Sequence, residues 1–122
     1  MPMRGLTILV ATAEAERLHA ALTYAAAGAA CGHAVRVHLH EGAVALLRPP
    51  LTAAADPART AAGLPTLGQI LDEALDQEVA ITVCQSGLAL AGLSLAQLDP
   101  RVEAQGAVGM LAALGEDRLI TF

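Results

Sequence analysis

The 122-residue chain has no lysine and no tryptophan, and its only aromatic rings besides histidine are one tyrosine and one phenylalanine. Seven arginines stand against twelve acidic residues, for a net charge of −5. That balance leaves no basic stripe for a phosphate backbone and no aromatic platform for stacked bases, so neither nucleic acid nor an anionic membrane surface is expected as a partner. Long apolar runs are missing as well. The most extended candidate, residues 18–31, is mostly alanine and is interrupted by His19, Thr23 and Gly28, whereas a bilayer needs roughly 20 strongly apolar residues. Arg4 leads at once into a strand-like run with no small-residue cleavage site behind it, so no signal peptide is read and a cytoplasmic protein is expected.

Cysteine is scarce, with Cys31 and Cys84 the only two. There is no Cys-x-x-Cys, which excludes a thioredoxin-type dithiol. Two cysteines in a reducing compartment point to a reactive or a buried thiol before a disulfide. The oxyanion-holding loops of low-molecular-weight phosphatases and rhodaneses place an arginine shortly after the cysteine; here Leu88, Ala89 and Leu90 occupy that stretch and the next arginine is Arg101. No Gly-rich phosphate-binding motif occurs, so no nucleotide cofactor is expected, nor any other. His33, His38 and His40 are too few for a metal set, and no metal is expected.

What the chain does have is aliphatic content: 55% apolar residues and a mean hydropathy of +0.53. With few rings, the core must be built from Leu, Val, Ile and Ala. The apolar fraction exceeds what one such domain needs, and closed symmetric self-association is the usual way to cover the surplus. A homo-oligomer is therefore expected.

The order of patterns is strand, helix, strand, helix. Gly5-Leu6-Thr7-Ile8-Leu9-Val10-Ala11 is a continuous apolar run, the signature of a strand buried on both faces. Thr12 is placed to cap a helix with Leu18, Leu22, Ala25 and Ala29 on one face, ended by Gly32. Residues 34–40 alternate, Val35, Val37 and Leu39 against Arg36, His38 and His40, predicting a second strand with one less dry face. A short helix is predicted over 42–47. Residues 49–65 carry four prolines and no period, and are expected to be an irregular, mobile connection, part of which could cover a site as a lid. Thr66 and Gln69 have capping-box spacing ahead of an apolar stripe of Leu67, Ile70, Leu71, Ala74 and Leu75. Residues 79–83 form a third apolar strand ending at Cys84, followed by a helix over 85–91. A capped turn at 94–98, a strand over 101–104, a helix over 106–114 and a strand over 118–122 complete the chain. The prediction is a single three-layer α/β/α domain over 1–122 with a five-stranded parallel sheet, flavodoxin-like in general architecture.

In such a sheet, chemistry sits at the carboxyl ends of the strands. Thr12, His40 with Glu41, and Cys84 with Gln85, Ser86 and Gly87 all reach that edge. Cys84 precedes a helix start, where free N–H groups of Ser86 and Gly87 favour thiolate, the reactive form. The plain alternative is a small buried hydrophobe. His40 or Glu41, rather than His38, is expected to tune the thiol. Cys31, in the last turn of the first helix, belongs to the opposite edge and reads as a structural residue, too distant for a disulfide with Cys84.

The ordered set Cys31-Gly32-His33-Ala34-Val35, Gly42-Ala43-Val44-Ala45-Leu46-Leu47 and Val83-Cys84-Gln85-Ser86-Gly87-Leu88, with residues 94–98 and 106–122 behind it, resembles the DsrE/DsrF-like (TusD-like) family of sulfur-relay proteins. The resemblance covers essentially the whole chain. It implies that Cys84 matches the family's persulfide-carrying cysteine, in a fold that usually forms trimers or hexamers. It also implies donor and acceptor proteins or small thiols as partners, which makes a sulfurtransferase-like carrier the leading expectation. Two readings stand beside it: a peroxide-reducing thiol protein, and a non-enzymatic oligomeric binding module in which Cys84 is incidental.

Overall fold

A computed structural model describes residues 4–122. The elements are β1 (Leu6–Val10), α1 (Ala15–Ala30), β2 (Val35–Leu39), a 3-10 segment (Glu41–Leu47), α2 (Asp56–Ala61), α3 (Leu67–Asp76), β3 (Ala80–Val83), α4 (Gln85–Ala91), a 3-10 turn (Leu95–Gln97), β4 (Glu103–Ala104), α5 (Ala107–Leu114) and β5 (Arg118–Thr121). The sheet has the order β4-β3-β2-β1-β5, and every pairing is parallel. The chain steps one strand at a time from β1 to β4, then returns to the free side of β1 with β5. Right-handed crossovers put the helices of the outward steps on one face and α5, on the return step, on the other.

The two faces are unequal. Ile8, Val10, Val35, Val37, Leu39, Ile81 and Val83 point to the side covered by α1 and α3, where they pack with Leu18, Leu22, Ile70 and Leu71 in one buried cluster. Each such side chain removed from water contributes about 1.5–3 kcal/mol. α3 starts as its sequence predicts: Gln69 N–H donates to Thr66 Oγ1 at 3.3 Å, and Thr66 N–H donates to Gln69 Oε1 at 2.9 Å. The α5 side is thin. Met110 is the only buried residue of α5, Val108 is 85% exposed, and all four residues of β5 are exposed.

Four local expectations change. Thr12 does not cap α1; the N-cap is Glu14, without a side-chain bond, because the chain takes two more residues to clear the sheet edge. The face of β2 expected to be less dry is dry at its centre: His38 is 2% exposed, with Nδ1 2.8 Å from Thr82 Oγ1 on β3 and Nε2 buried without a partner among the described residues. Burial, and then the charge of His40, push the His38 pKa down, since an imidazolium there would be stripped of water. Residues 49–65 are not wholly irregular, because they contain α2, with Pro57 in its first turn where the missing N–H costs nothing. Asp56 accepts from the N–H groups of Ala53 and Leu67, both at 3.0 Å, and pairs with Arg59, which also pairs with Glu16 of α1. These bonds tie the segment to the start of α1 and the start of α3. Cys31 is the fourth, exposed as the C-cap of α1 and not packed as a structural residue.

Candidate functional site around Cys84

Two neighbouring strands, β2 and β3, and the turns that follow them meet where β3 ends. β2 and β3 are neighbours with Leu39 opposite Val83, and Cys84 N–H donates to Leu39 O at 3.2 Å. This pairing sets Cys84 beside the turn from β2 into the 3-10 segment. Cys84 is the N-cap of α4, with extended backbone, and its residue is 5% exposed. Three donors converge on Sγ: Glu41 N–H at 3.0 Å, Gly87 N–H at 3.3 Å and Ser86 Oγ at 3.4 Å. Burial pushes the thiol pKa up, but the Ser86 hydroxyl and the N–H groups of Glu41 and Gly87 outweigh it and hold the thiol below its ordinary value, against the opposing charge of the Glu41 carboxylate. Hydrogen bonds to the charged form are the part of this balance that favours thiolate.

Two backbone features create the pocket. Glu41 has φ +49°, in the left-handed region where a side chain is disfavoured, and that twist turns its N–H toward the sulfur. Gly87 makes the close approach possible. A Cβ there would lie 2.6 Å from Glu41 O and overlap the Val44 side chain, so any larger residue pushes the 3-10 segment off α4. At its other end the segment is held by Arg48, whose Nη2 donates to Ala91 O at 2.7 Å.

Of the residues singled out in the sequence, Glu41, Ser86 and Gly87 reach the sulfur. Ser86 does so through its hydroxyl. Thr12, His40 and Gln85 make no hydrogen bond to it among the described residues; Thr12 follows β1, which β2 separates from β3. Val44 and the left-handed Glu41 were not legible beforehand. Cys31 lines a shallow apolar depression of about 280 Å³ with Gly5, Leu6, Tyr24, His33 and Arg118. Its neighbours there begin β1 and β5, so it lies at the amino edge of the sheet, opposite Cys84, and both cysteines are free. No group of three or more His, Cys, Asp or Glu converges as a metal site would require, among the described residues. No helix there is long and apolar enough to cross a membrane.

The model of the DsrE/DsrF-like family matches residues 5–122, the whole domain just described. The chain belongs to that family. Membership supports a role of the sulfur-relay type in general. Among solved structures, the ychN protein from E. coli is similar with a TM-score of 0.76 at 22% identity, covering 98% of this chain and 100% of that one. A protein of unknown function, MTH1491 from Methanobacterium thermoautotrophicum, is similar with a TM-score of 0.69 at 14% identity over 98% and 100% of the two chains. At these identities the two structures speak for the shared DsrE-like fold. No curated protein matches the chain in sequence.

Proposed function

We propose that this DsrE-like protein carries sulfur as a persulfide on Cys84, passing it between thiols in the manner of a sulfurtransferase. The convergence of three uncharged donors on one buried sulfur carries the reading. They favour the thiolate, the form that attacks in loading and leaves in discharge. In loading, the Cys84 thiolate attacks the outer sulfur of a donor R–S–SH; the new Cys84 S–S bond forms as the donor's S–S bond breaks, and R–S⁻ leaves. In discharge, an acceptor thiolate attacks the outer sulfur of Cys84–S–SH and Cys84 leaves as thiolate. Both exchanges are redox-neutral, so no metal or cofactor is needed. A thiol with pKa near ambient pH is close to optimal for such exchange, because it both attacks and leaves well.

Self-association belongs to the same reading, as a trimer or hexamer. Its support is the α5–β5 layer, where Val108, Leu111, Leu119 and Ile120 are large, apolar and exposed, and where α5 carries no charged side chain. A strictly monomeric mass in light scattering at micromolar concentration would remove this part.

The experiment is to incubate the protein with a small persulfide, digest it and weigh the peptides. One added sulfur on the Cys84 peptide, removed by a small thiol, is the expected result. Labelling of Cys31 instead, or of both only after denaturation, overturns the assignment. Oxidation of Cys84 by peroxide with no sulfur uptake would favour the peroxide-reducing alternative.

A further inference from the structure

The charge around the pocket narrows which sulfur donors it can accept, if Cys84 carries sulfur as proposed above. All three groups bonded to Sγ are uncharged, and two are main-chain amides. Arg101, the first arginine after the cysteine, is paired with Asp72, Asp76 and Asp99, and Arg48 is held on Ala91 O at the far end of the 3-10 segment. Glu41 is different, because its own amide touches the sulfur. Its carboxylate is only a few bonds from that contact, inside the ~8 Å screening length of physiological salt, and Glu41 itself is partly exposed while the sulfur is nearly covered. A reagent approaching Sγ therefore meets a negative charge on the same residue that holds the thiol.

The left-handed backbone at Glu41 fixes this arrangement. With its N–H pinned to Sγ and its carbonyl wedged against Gly87, the Cα and the start of the side chain have little freedom to swing away. We propose that Glu41 is the specificity-determining residue of the Cys84 site, its main chain holding the sulfur while its carboxylate selects neutral or cation-bearing persulfide carriers over anionic inorganic donors such as thiosulfate. Loading from thiosulfate would require the Cys84 thiolate to attack the outer sulfur of a dianion and expel sulfite, also a dianion, beside that carboxylate. Cysteine persulfide carries at most one net negative charge and an ammonium group, and a persulfide on a basic protein surface is surrounded by cations, so both meet less repulsion than the thiosulfate dianion.

The test compares alkylation of Cys84 by neutral iodoacetamide and anionic iodoacetate at one pH and low salt, read at the Cys84 peptide with exposed Cys31 as reference in the same chain. The preference for the neutral reagent at Cys84 is expected to exceed that at Cys31 by roughly 3- to 10-fold, the effect of one unit charge several ångströms away in a wet site. Glu41→Gln should bring the two ratios together, and raising salt on the unmodified protein should narrow them without any substitution. Equal ratios at low salt, or ratios unmoved by both changes, overturn the proposal, and the salt series decides if the variant does not fold. Sulfur loading separates this proposal from the one it rests on. Cysteine persulfide that loads Cys84 while thiosulfate does not, with Glu41→Gln gaining thiosulfate loading, supports both. Equal loading from both donors overturns the role of Glu41 and leaves the carrier intact. No loading from either overturns the carrier, and with it the assignment of the charge selection to sulfur donors.

Discussion

Cys84 and Cys31 reverse the usual link between exposure and reactivity. Cys31 stands open at the C-cap of α1 with no hydrogen bond to its sulfur among the described residues, while Cys84 is nearly covered but has three donors aimed at its sulfur. Water reaches the first thiol. Around the second, the protein replaces water with fixed dipoles, which stabilise a charge without reorganising. The pair teaches that a thiol's chemistry is set by which groups converge on it, and that exposure decides only which reagents arrive. Bulky reagents are accordingly expected to find Cys31 first, and small ones to discriminate by thiolate character.

The sharpest way to collapse the difference is Gly87→Ala. The added methyl meets Glu41 O and Val44, so the 3-10 segment must move and take the Glu41 N–H away from the sulfur. A loss of about 1–3 kcal/mol is expected from the overpacking, read as a lower urea midpoint. Alkylation of Cys84 by iodoacetamide should fall toward the pH profile of an ordinary thiol while Cys31 stays unchanged.

Ser86→Ala removes one donor and leaves the backbone in place. At 3.4 Å the bond is long, and its loss is expected to cost about 1 kcal/mol of thiolate stabilisation, or roughly five-fold in alkylation rate near neutral pH. The alkylation midpoint of Cys84 should move up in pH. An unmoved midpoint would mean that the two amides alone hold the thiolate.

A smaller effect is a pH dependence of stability. The folded Cys84 pKa is lowered, with burial opposing and the three donors prevailing. Its contribution is therefore complete above the unfolded thiol value of ~8.5 and is lost as pH falls through the folded value. Denaturation of the natural protein and of Cys84→Ser should diverge as pH rises through that window, with the natural protein gaining. Parallel curves would remove the preferential stabilisation of the thiolate. Cys31→Ser marks the small end: a surface change expected to alter stability by less than about 0.5 kcal/mol and to leave sulfur loading at Cys84 untouched.

The amino-acid order by itself determined the alternation of strands and helices, because burial periodicity and end signals act within a few residues. The apolar run that becomes β1, the Thr66–Gln69 box that starts α3 and the step from β3 into α4 at Cys84 are all of this local kind. Alternation in β2 was readable too, but its meaning was not. Whether Arg36, His38 and His40 meet water depends on what packs on that face of the sheet, which spacing along one strand does not reveal. The tie from Ala55 and Arg59 to Glu16 escaped for the same reason, since Glu16 lies 39 and 43 residues away from them. At the site, the local part was the helix start that supplies Ser86 and Gly87. The strand order decided the rest. Only because β2 lies beside β3 does Glu41 come within 3.0 Å of a sulfur 43 residues away, and only the contact with Gly87 and Val44 holds its backbone in a conformation that no local preference would choose.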